Sequence, residues 1–347
     1  MLVDHSEDPQ PSPTDDLPLV EKYRPQDMDS IISHTEILNT LTNFVSQQRL
    51  PHLLFHGPAG TGKTTTILAL ARKMYGPQFG MMTLELNASD DRGIDTVRNQ
   101  VKSFAGTKNC FSKLPKLIIL DECDAMIKEA QFALRRVVEM YSSNARFCLI
   151  CNYVNRIIPA LQSRCTKMRF SPLNPLSVLE RLQEICANEQ IIANEEGLRV
   201  IVSVCNGDMR KALNILESVW MAHRNVNIDT VYTTIGKPHP RDINTFLETA
   251  LNNTFENTDR ECWAMKENLS LSLADIIDAV HDRLIRIDFP PLIKCTLLDK
   301  LARLSFNTTK CDSERLQFLG LMGVLQEARL ATIGMKETLE RVDLQTV

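Results

Sequence analysis

Eight residues, Gly57-Pro-Ala-Gly-Thr-Gly-Lys63-Thr64, complete the pattern G-x-x-x-x-G-K-[ST], directly after an apolar run and directly before a helical one. Glycines there permit a loop whose backbone N–H groups converge on one phosphate, and the start of the helix adds its positive end. Lys63 would then reach the β and γ oxygens of a nucleoside triphosphate, and the Thr64 hydroxyl would ligate Mg2+. A Gly-rich turn without a ligand is the bland alternative, and a second constellation weighs against it. Leu117-Ile-Ile-Leu120 reads as a buried strand that ends in two carboxylates, Asp121 and Glu122. Asp121 is placed to hold the hydrated metal and Glu122 to orient or deprotonate an attacking water, since phosphoryl transfer calls for positioning and charge neutralisation rather than covalent chemistry. Asn152 closes the apolar run Phe147-Cys-Leu-Ile-Cys151, where a polar side chain at the carboxyl end of a strand can hold that water. An Asn that merely begins a turn is the competing reading. Cys148 and Cys151 imitate a C-x-x-C metal or redox pair, but three apart on a strand they point to opposite faces, so two small buried side chains are expected.

These groups work only if strands and helices bring them to one edge of a sheet. Apolar runs at 52–56, 82–86, 117–120 and 147–151 alternate with helical patterns such as Thr64 to Met74. That alternation predicts a doubly wound α/β domain with a parallel sheet over residues 17–172. After Arg169-Phe-Ser-Pro172 no strand-like run is evident. Residues 173–237 read as short amphipathic helices, with Val178, Leu179, Leu182, Ile185 and Cys186 at three- and four-residue steps. Gly236-Lys-Pro-His-Pro240 has linker composition, and 238–347 is expected to be all-α, with helical patterns at 273–284 and 316–331. Residues 1–16 hold three prolines, five acidic residues and no Lys or Arg, a composition expected to stay a disordered tail.

Composition narrows the function classes. At 347 residues and 44% hydrophobic the chain suggests two or three domains. No apolar run approaches the roughly 18 residues needed to cross a bilayer, so no membrane role is expected. Ten scattered Cys in a chain this long read as reduced thiols of a cytosolic or nuclear protein. A net charge of -4 gives no global attraction to nucleic acid, so any DNA contact must be local.

With these motifs in place, the chain resembles the small subunits of replication factor C, the eukaryotic clamp loader, from Leu17 to about Phe170 and more loosely beyond. Val20-Glu-Lys-Tyr-Arg-Pro25 looks like the family's N-terminal box, Leu86-Asn-Ala-Ser-Asp-Asp-Arg-Gly-Ile-Asp95 like the segment after the second strand, Leu161-Gln-Ser163-Arg164-Cys165 like the SRC motif, and Gly207-Asp-Met-Arg210-Lys-Ala-Leu-Asn214 like the sensor 2 motif of a lid helix. The resemblance implies an AAA+ ATPase domain, a helical lid and a helical collar that joins five subunits. It implies ATP and Mg2+ as cofactors. Val20, Tyr23 and Arg24 would lie over the adenine, Gly57, Pro58, Ala59, Gly60, Thr61, Gly62, Lys63, Thr64 and Thr65 would hold the phosphates, and Thr64 and Asp121 the metal. Arg210 would bring the lid to the same phosphates. Arg164 would be an arginine finger acting in trans on a neighbour's ATP, so that hydrolysis depends on assembly. For both arginines an ordinary surface role is the alternative. Two departures stand out: Leu19 where the family usually has Trp, and Cys123 where it usually has Ala. Neither removes a catalytic group.

The implied partners are the other replication factor C subunits in a heteropentamer, the sliding clamp PCNA, and primer-template double-stranded DNA, with a nuclear location. Arg92, in a loop at a helix start, and Arg98, within that helix, suit contacts to phosphates that ignore base identity. A solvated basic face is the alternative, and no stacking aromatics accompany them to suggest single-strand reading. Three rival readings remain: a small-molecule kinase, which would need an acceptor pocket and an Arg-rich lid inserted in the α/β domain, an insertion that is not evident; an ATP-binding scaffold with little turnover; and a subunit of another AAA+ DNA machine.

Overall fold

The computed structural model of the chain describes residues 17–88, 94–107, 114–310 and 313–343, without the side chains of 94–98 and 335–343. The tail expected over residues 1–16 therefore lies outside the described residues, as do Arg92 and the side chain of Arg98. Two compact units divide between Ile228 and Asp229.

In chain order the first unit runs α1 (Leu19–Lys22), α2 (Thr35–Ser46), β1 (Leu53–His56), α3 (Lys63–Tyr75), α4 (Phe79–Met82), β2 (Thr83–Asn87), α5 (Ile94–Gly106), β3 (Lys116–Asp121), α6 (Lys128–Met140), β4 (Ala145–Cys151), α7 (Pro159–Gln162), β5 (Thr166–Arg169), α8 (Pro175–Asn188), α9 (Glu195–Cys205) and α10 (Met209–His223). The strands form one parallel sheet in the order β2-β3-β4-β1-β5. Both faces are covered. Phe55, Ile119, Cys148 and Ile150 pack on one side with Ile67 and Leu70 of α3. Leu54, Ile118, Leu120, Phe147 and Leu149 pack on the other with Val101 of α5 and Val137 and Val138 of α6. Burial on both faces is why the central strands read as continuous apolar runs rather than alternating ones.

β5 is the strand that the sequence hid. Its residues Thr166-Lys-Met-Arg169 pair with β1 alone, and only Met168 is buried. An edge strand with one apolar side chain carries no run to recognise. The four anticipated strands are present with small shifts; Met82, for example, ends α4 instead of opening β2.

The first unit's helices that follow the sheet begin at polar caps. Asn174 caps α8 by accepting from the Leu176 N–H, followed by Pro175 at the first helical position. Asp208 caps α10 by accepting from the Lys211 N–H at 3.0 Å.

The second unit is entirely helical in its described residues: α11 (Ile228–Ile235), α12 (Pro240–Asn252), α13 (Phe255–Asn268), α14 (Leu273–Leu284), α15 (Pro291–Thr308) and α16 (Glu314–Asp343). Its core joins Phe246 and Leu247 of α12, Ile276 and Val280 of α14, Leu297 of α15, and Phe318 and Leu325 of α16. One buried amide is satisfied inside it: Gln326 Nε2 donates to the carbonyls of Ala250 and Asn253, each at 2.8 Å. No helix among the described residues is long and apolar enough to cross a membrane.

His52, at the entry to β1, makes folding sensitive to acid. Its Nδ1 accepts the Phe147 N–H at 3.1 Å, which only a neutral ring can do. Burial, reinforced by the Arg146 charge, lowers its pKa from 6.5 to about 4. The unfolded chain thus takes up a proton near pH 6.5 that the folded chain refuses until about pH 4, so stability is flat above this window and falls as pH drops through it. The urea midpoint is expected to decline between about pH 6.5 and 4, and His52→Gln to reduce that decline; an unaltered pH dependence in the variant contradicts the assignment.

Candidate active site

Because the strands are parallel, the carboxyl ends of β1, β4 and β3 lie side by side on one edge. The Gly57 loop leaves β1, Asp121 ends β3 with Glu122 just after it, and Asn152 directly follows β4 between them. Strand order alone therefore brings three motifs from distant parts of the chain to one place, where ligands bind in open α/β sheets.

The loop is shaped by two close approaches. At Gly57 (φ 148°) a Cβ would stand 2.0 Å from the carbonyl oxygen of Phe170, which follows β5. At Gly60 (φ 66°) a Cβ would stand 1.6 Å from Asp208 Oδ1, the cap of α10. The Met209 N–H donates to the Gly60 carbonyl at 3.2 Å, so the first turn of α10 is bonded to the phosphate loop itself. Lys63 opens α3 and is buried, 7% exposed. Its ammonium donates to the carbonyls of Gly57 and Pro58, both at 2.7 Å, and to Asn152 Oδ1 at 2.9 Å. Burial lowers its pKa, while the negative charge of Asp121 acts in the opposite direction.

Thr64 Oγ1 donates to Asp121 Oδ2 at 2.6 Å. Asp121 Oδ1 accepts the Glu122 N–H at 2.8 Å. Glu122 is exposed and adopts a left-handed backbone (φ 53°), uncommon for a residue with a Cβ and worth roughly 1 kcal/mol of strain. Hydroxyl and carboxylate side by side are hard oxygen ligands for a divalent cation, and a Mg2+ that keeps several waters and phosphate oxygens needs few protein ligands. The donor set therefore fits Mg2+ beside a triphosphate.

These side chains line one cleft of about 230 Å³. Ala59 to Thr65, Asp121, Glu122 and Asn152 are among its lining, together with Arg210 of α10. Val20, Tyr23 and Arg24 line the same cleft. Gly57 and Pro58 meet it through their bonds to Lys63. A broader groove of about 1120 Å³ runs between His34 and Arg199, but the acids and the phosphate loop do not open into it, so the chemistry belongs to the smaller cleft.

Arg164 is elsewhere. It follows α7, donates through Nη1 to the Ala160 carbonyl at 2.6 Å, and pairs through Nη2 with Glu139 of α6 at 2.5 Å. Arg135 shares the same Glu139 oxygen. Cys148 and Cys151 are buried and pack on opposite faces of the sheet, as their spacing predicts.

Several contributors were not anticipated. Asp124 Oδ2 accepts the N–H groups of both Asn152 and Tyr153, fixing the end of β4 against the turn after β3. Gln131, 1% exposed, donates to the carbonyls of Met126 and Arg156 and accepts from the Ile158 N–H, joining the segments that follow β3 and β4. Ile31, Ile32, Leu173 and Leu213 add apolar lining to the cleft. A second acid three residues after Asp121 was a readable signal for Asp124; the scattered apolar residues carried none. Leu19 is buried, and its backbone is bonded to Glu217 of α10, so the departure from Trp falls on packing against that helix. Cys123 is buried, its thiol near the Leu120 carbonyl, a compact replacement that leaves Asp121 and Glu122 in place.

Comparison with known proteins adds three family matches: ATPase family associated with various cellular activities over residues 53–173, RCF1/5-like AAA+ ATPase lid domain over 180–221, and Replication factor C C-terminal domain over 238–324. The chain is 48% identical to replication factor C subunit 5 of Mus musculus, covering 90% of this chain and 93% of that protein. It is 43% identical to replication factor C subunit 3 of Schizosaccharomyces pombe, covering 89% and 91%. Among solved structures, the Holliday junction branch migration motor RuvB of Thermotoga maritima matches with a TM-score of 0.50 at 15% identity, covering 78% of this chain and 93% of that one, a likeness of fold alone.

Gly60→Ala tests the bond between loop and helix. The methyl would displace the Asp208 cap and hold a left-handed backbone, each worth about 1 kcal/mol. Hydrogen exchange in the first turn of α10 is expected to rise about tenfold or more; unchanged protection there would show that the loop does not hold the helix.

Proposed function

Since the chain belongs to the replication factor C small-subunit family and is an AAA+ ATPase, we propose that it is the subunit numbered 5 in some organisms and 3 in others, working in a sliding-clamp loader. The observation that carries the mechanism is the split between one cleft, which gathers Lys63, Thr64, Asp121, Glu122, Asn152 and Arg210, and Arg164, which lies outside it.

ATP enters with its base towards Val20, Tyr23 and Arg24 and its phosphates in the loop from Gly57 to Thr65. Mg2+, held through Thr64 and Asp121, would supply charge neutralisation for the phosphate oxygens. Lys63 exchanges its carbonyl partners for the β and γ oxygens. Asn152 holds the attacking water, and Glu122 takes its proton as the new bond to the γ phosphorus forms and the bond to the β–γ bridging oxygen breaks, giving ADP and phosphate. Arg210 carries the lid to the γ-phosphate, so ATP favours the closed lid and hydrolysis releases it. Arg164 serves the ATP of the adjacent subunit, where a guanidinium against transition-state charge is worth about 10³ in rate.

Residues 17–172 act as the ATPase domain, 173–237 as the lid and 238–347 as the collar that joins the other subunits into a heteropentamer. The assembly opens the clamp PCNA and loads it on primer-template DNA for replication and repair in the nucleus. Arg92 and Arg98 contact DNA phosphates. The close relatives by name support the loader reading over a different AAA+ DNA machine, and the intact Lys63, Thr64, Asp121 and Glu122 speak against an idle scaffold.

In the assembled complex, Arg164→Ala is expected to lower clamp- and DNA-stimulated ATP hydrolysis at least about fivefold, with ATP affinity of the free chain changed less than about twofold. Stimulated hydrolysis at the wild-type rate would refute the in-trans role. Glu122→Gln should keep ATP binding and lose hydrolysis at this site in single-turnover measurements.

A further inference from the structure

The residues that face the base end of the cleft are fastened to the lid helices. The backbone N–H of Leu19 donates to Glu217 Oε1 on α10 at 3.3 Å. Glu189, the residue just after α8, takes two bonds on the same oxygen: the Tyr23 hydroxyl at 2.6 Å and the Lys22 ammonium at 2.8 Å. Arg181 of α8 stands 5.9 Å from the centre of the Tyr23 ring. Lys22 and Glu189 are only 25% and 22% exposed in their side chains. Partial shielding from water makes such charge-assisted bonds stronger than an exposed surface pair. Burial first, and the Glu189 hydrogen bond second, push the Tyr23 hydroxyl up to about 12, so it remains a donor at every pH at which the protein works.

Two glutamates, one just after α8 and one on α10, thus hold the segment formed by α1 and Tyr23, to which Val20 belongs. Glu189 does not itself line the cleft, whereas Val20 and Tyr23 do. Arg210 sits on the first turn of α10 and lines the same cleft. A movement of the lid therefore carries the base-facing residues with it, and the base contacts and the Arg210 contact form or break together.

We propose that Glu189 is a positioning residue for nucleobase recognition: by holding Tyr23 and Lys22 it makes the base-facing segment part of the lid. The inference rests on the reading that the cleft takes ATP with its base at the N-terminal end. An alternative role, simple fastening of the N-terminus for stability, predicts no selective effect on the base. Glu189 acts through Tyr23, so its removal should weaken the part of binding that depends on the base and spare the part that depends on phosphates.

The experiment compares the affinities of the full-length chain for Mg2+·ATP and for Mg2+·tripolyphosphate, which carries phosphates but no base. Glu189→Gln is expected to raise the Kd for ATP about five- to tenfold and that for tripolyphosphate less than about twofold. Tyr23→Phe keeps the ring, removes the donor and should give the same selective loss. The double variant should lose no more than the larger single change, since both weaken the same Tyr23–Glu189 bond. Equal weakening of both ligands, or no weakening of either, would overturn the role of Glu189, and Tyr23→Phe decides the matter should Glu189→Gln not fold. Lys63→Ala separates this from the reading beneath it. Unchanged ATP binding in that variant sinks the nucleotide assignment and the inference together, whereas a large loss with Glu189→Gln inert removes the inference alone.

Discussion

A buried ammonium must find acceptors, because leaving one charge unpaired away from water costs several kcal/mol. Lys63 meets that demand with two carbonyls of its own loop and the side-chain oxygen that closes β4. The consequence is structural before it is chemical. The loop must bend back over the start of α3, which brings Gly57 so near Phe170 that no side chain fits there. β4 must lie beside β1, and Asn152 must stand at its end. A triphosphate supplies better acceptors than neutral carbonyls, since its anionic oxygens add charge–charge attraction to the bonds of an ammonium. The same burial that constrains the fold thus prepares the lysine for an anion.

The acid pair is set on the opposite flank of β4 by a second group of bonds. Asp121 engages Thr64 of α3, and Asp124 engages the backbone after β4. Loop, central strand and acids are therefore cross-braced, and a change in one is felt by the others. The lid joins this frame through Gly60, Asp208 and Met209. Whatever moves the phosphate loop moves the start of α10, a physical basis for a lid that responds to the state of the nucleotide.

The legible part of the site was the part written contiguously. The Gly57–Thr64 loop, the Asp121–Glu122 pair and Asn152 each follow an apolar strand, and the strands themselves were visible because both faces of the sheet are covered. β5 was missed because an edge strand with one buried residue has no such signature. Gln131, Glu139, Glu189 and Asp208 were missed for a different reason. Each is an ordinary polar residue by local pattern, and its importance comes from partners as far as 166 residues away in the chain. The apolar lining of the cleft was equally hidden, since Leu173 and Leu213 cannot be told from core residues by spacing.

The central claim is that the turn at Gly57 to Thr64 receives a triphosphate whose terminal phosphate faces Asp121 and Glu122. A crystal structure of the chain with Mg2+ and a non-hydrolysable ATP analogue tests it most directly. The expected result is Lys63 Nζ bonded to β and γ oxygens in place of the Gly57 and Pro58 carbonyls, with the metal between Thr64 and Asp121. An analogue bound elsewhere, with Lys63 still on its two carbonyls and Asn152, would contradict it.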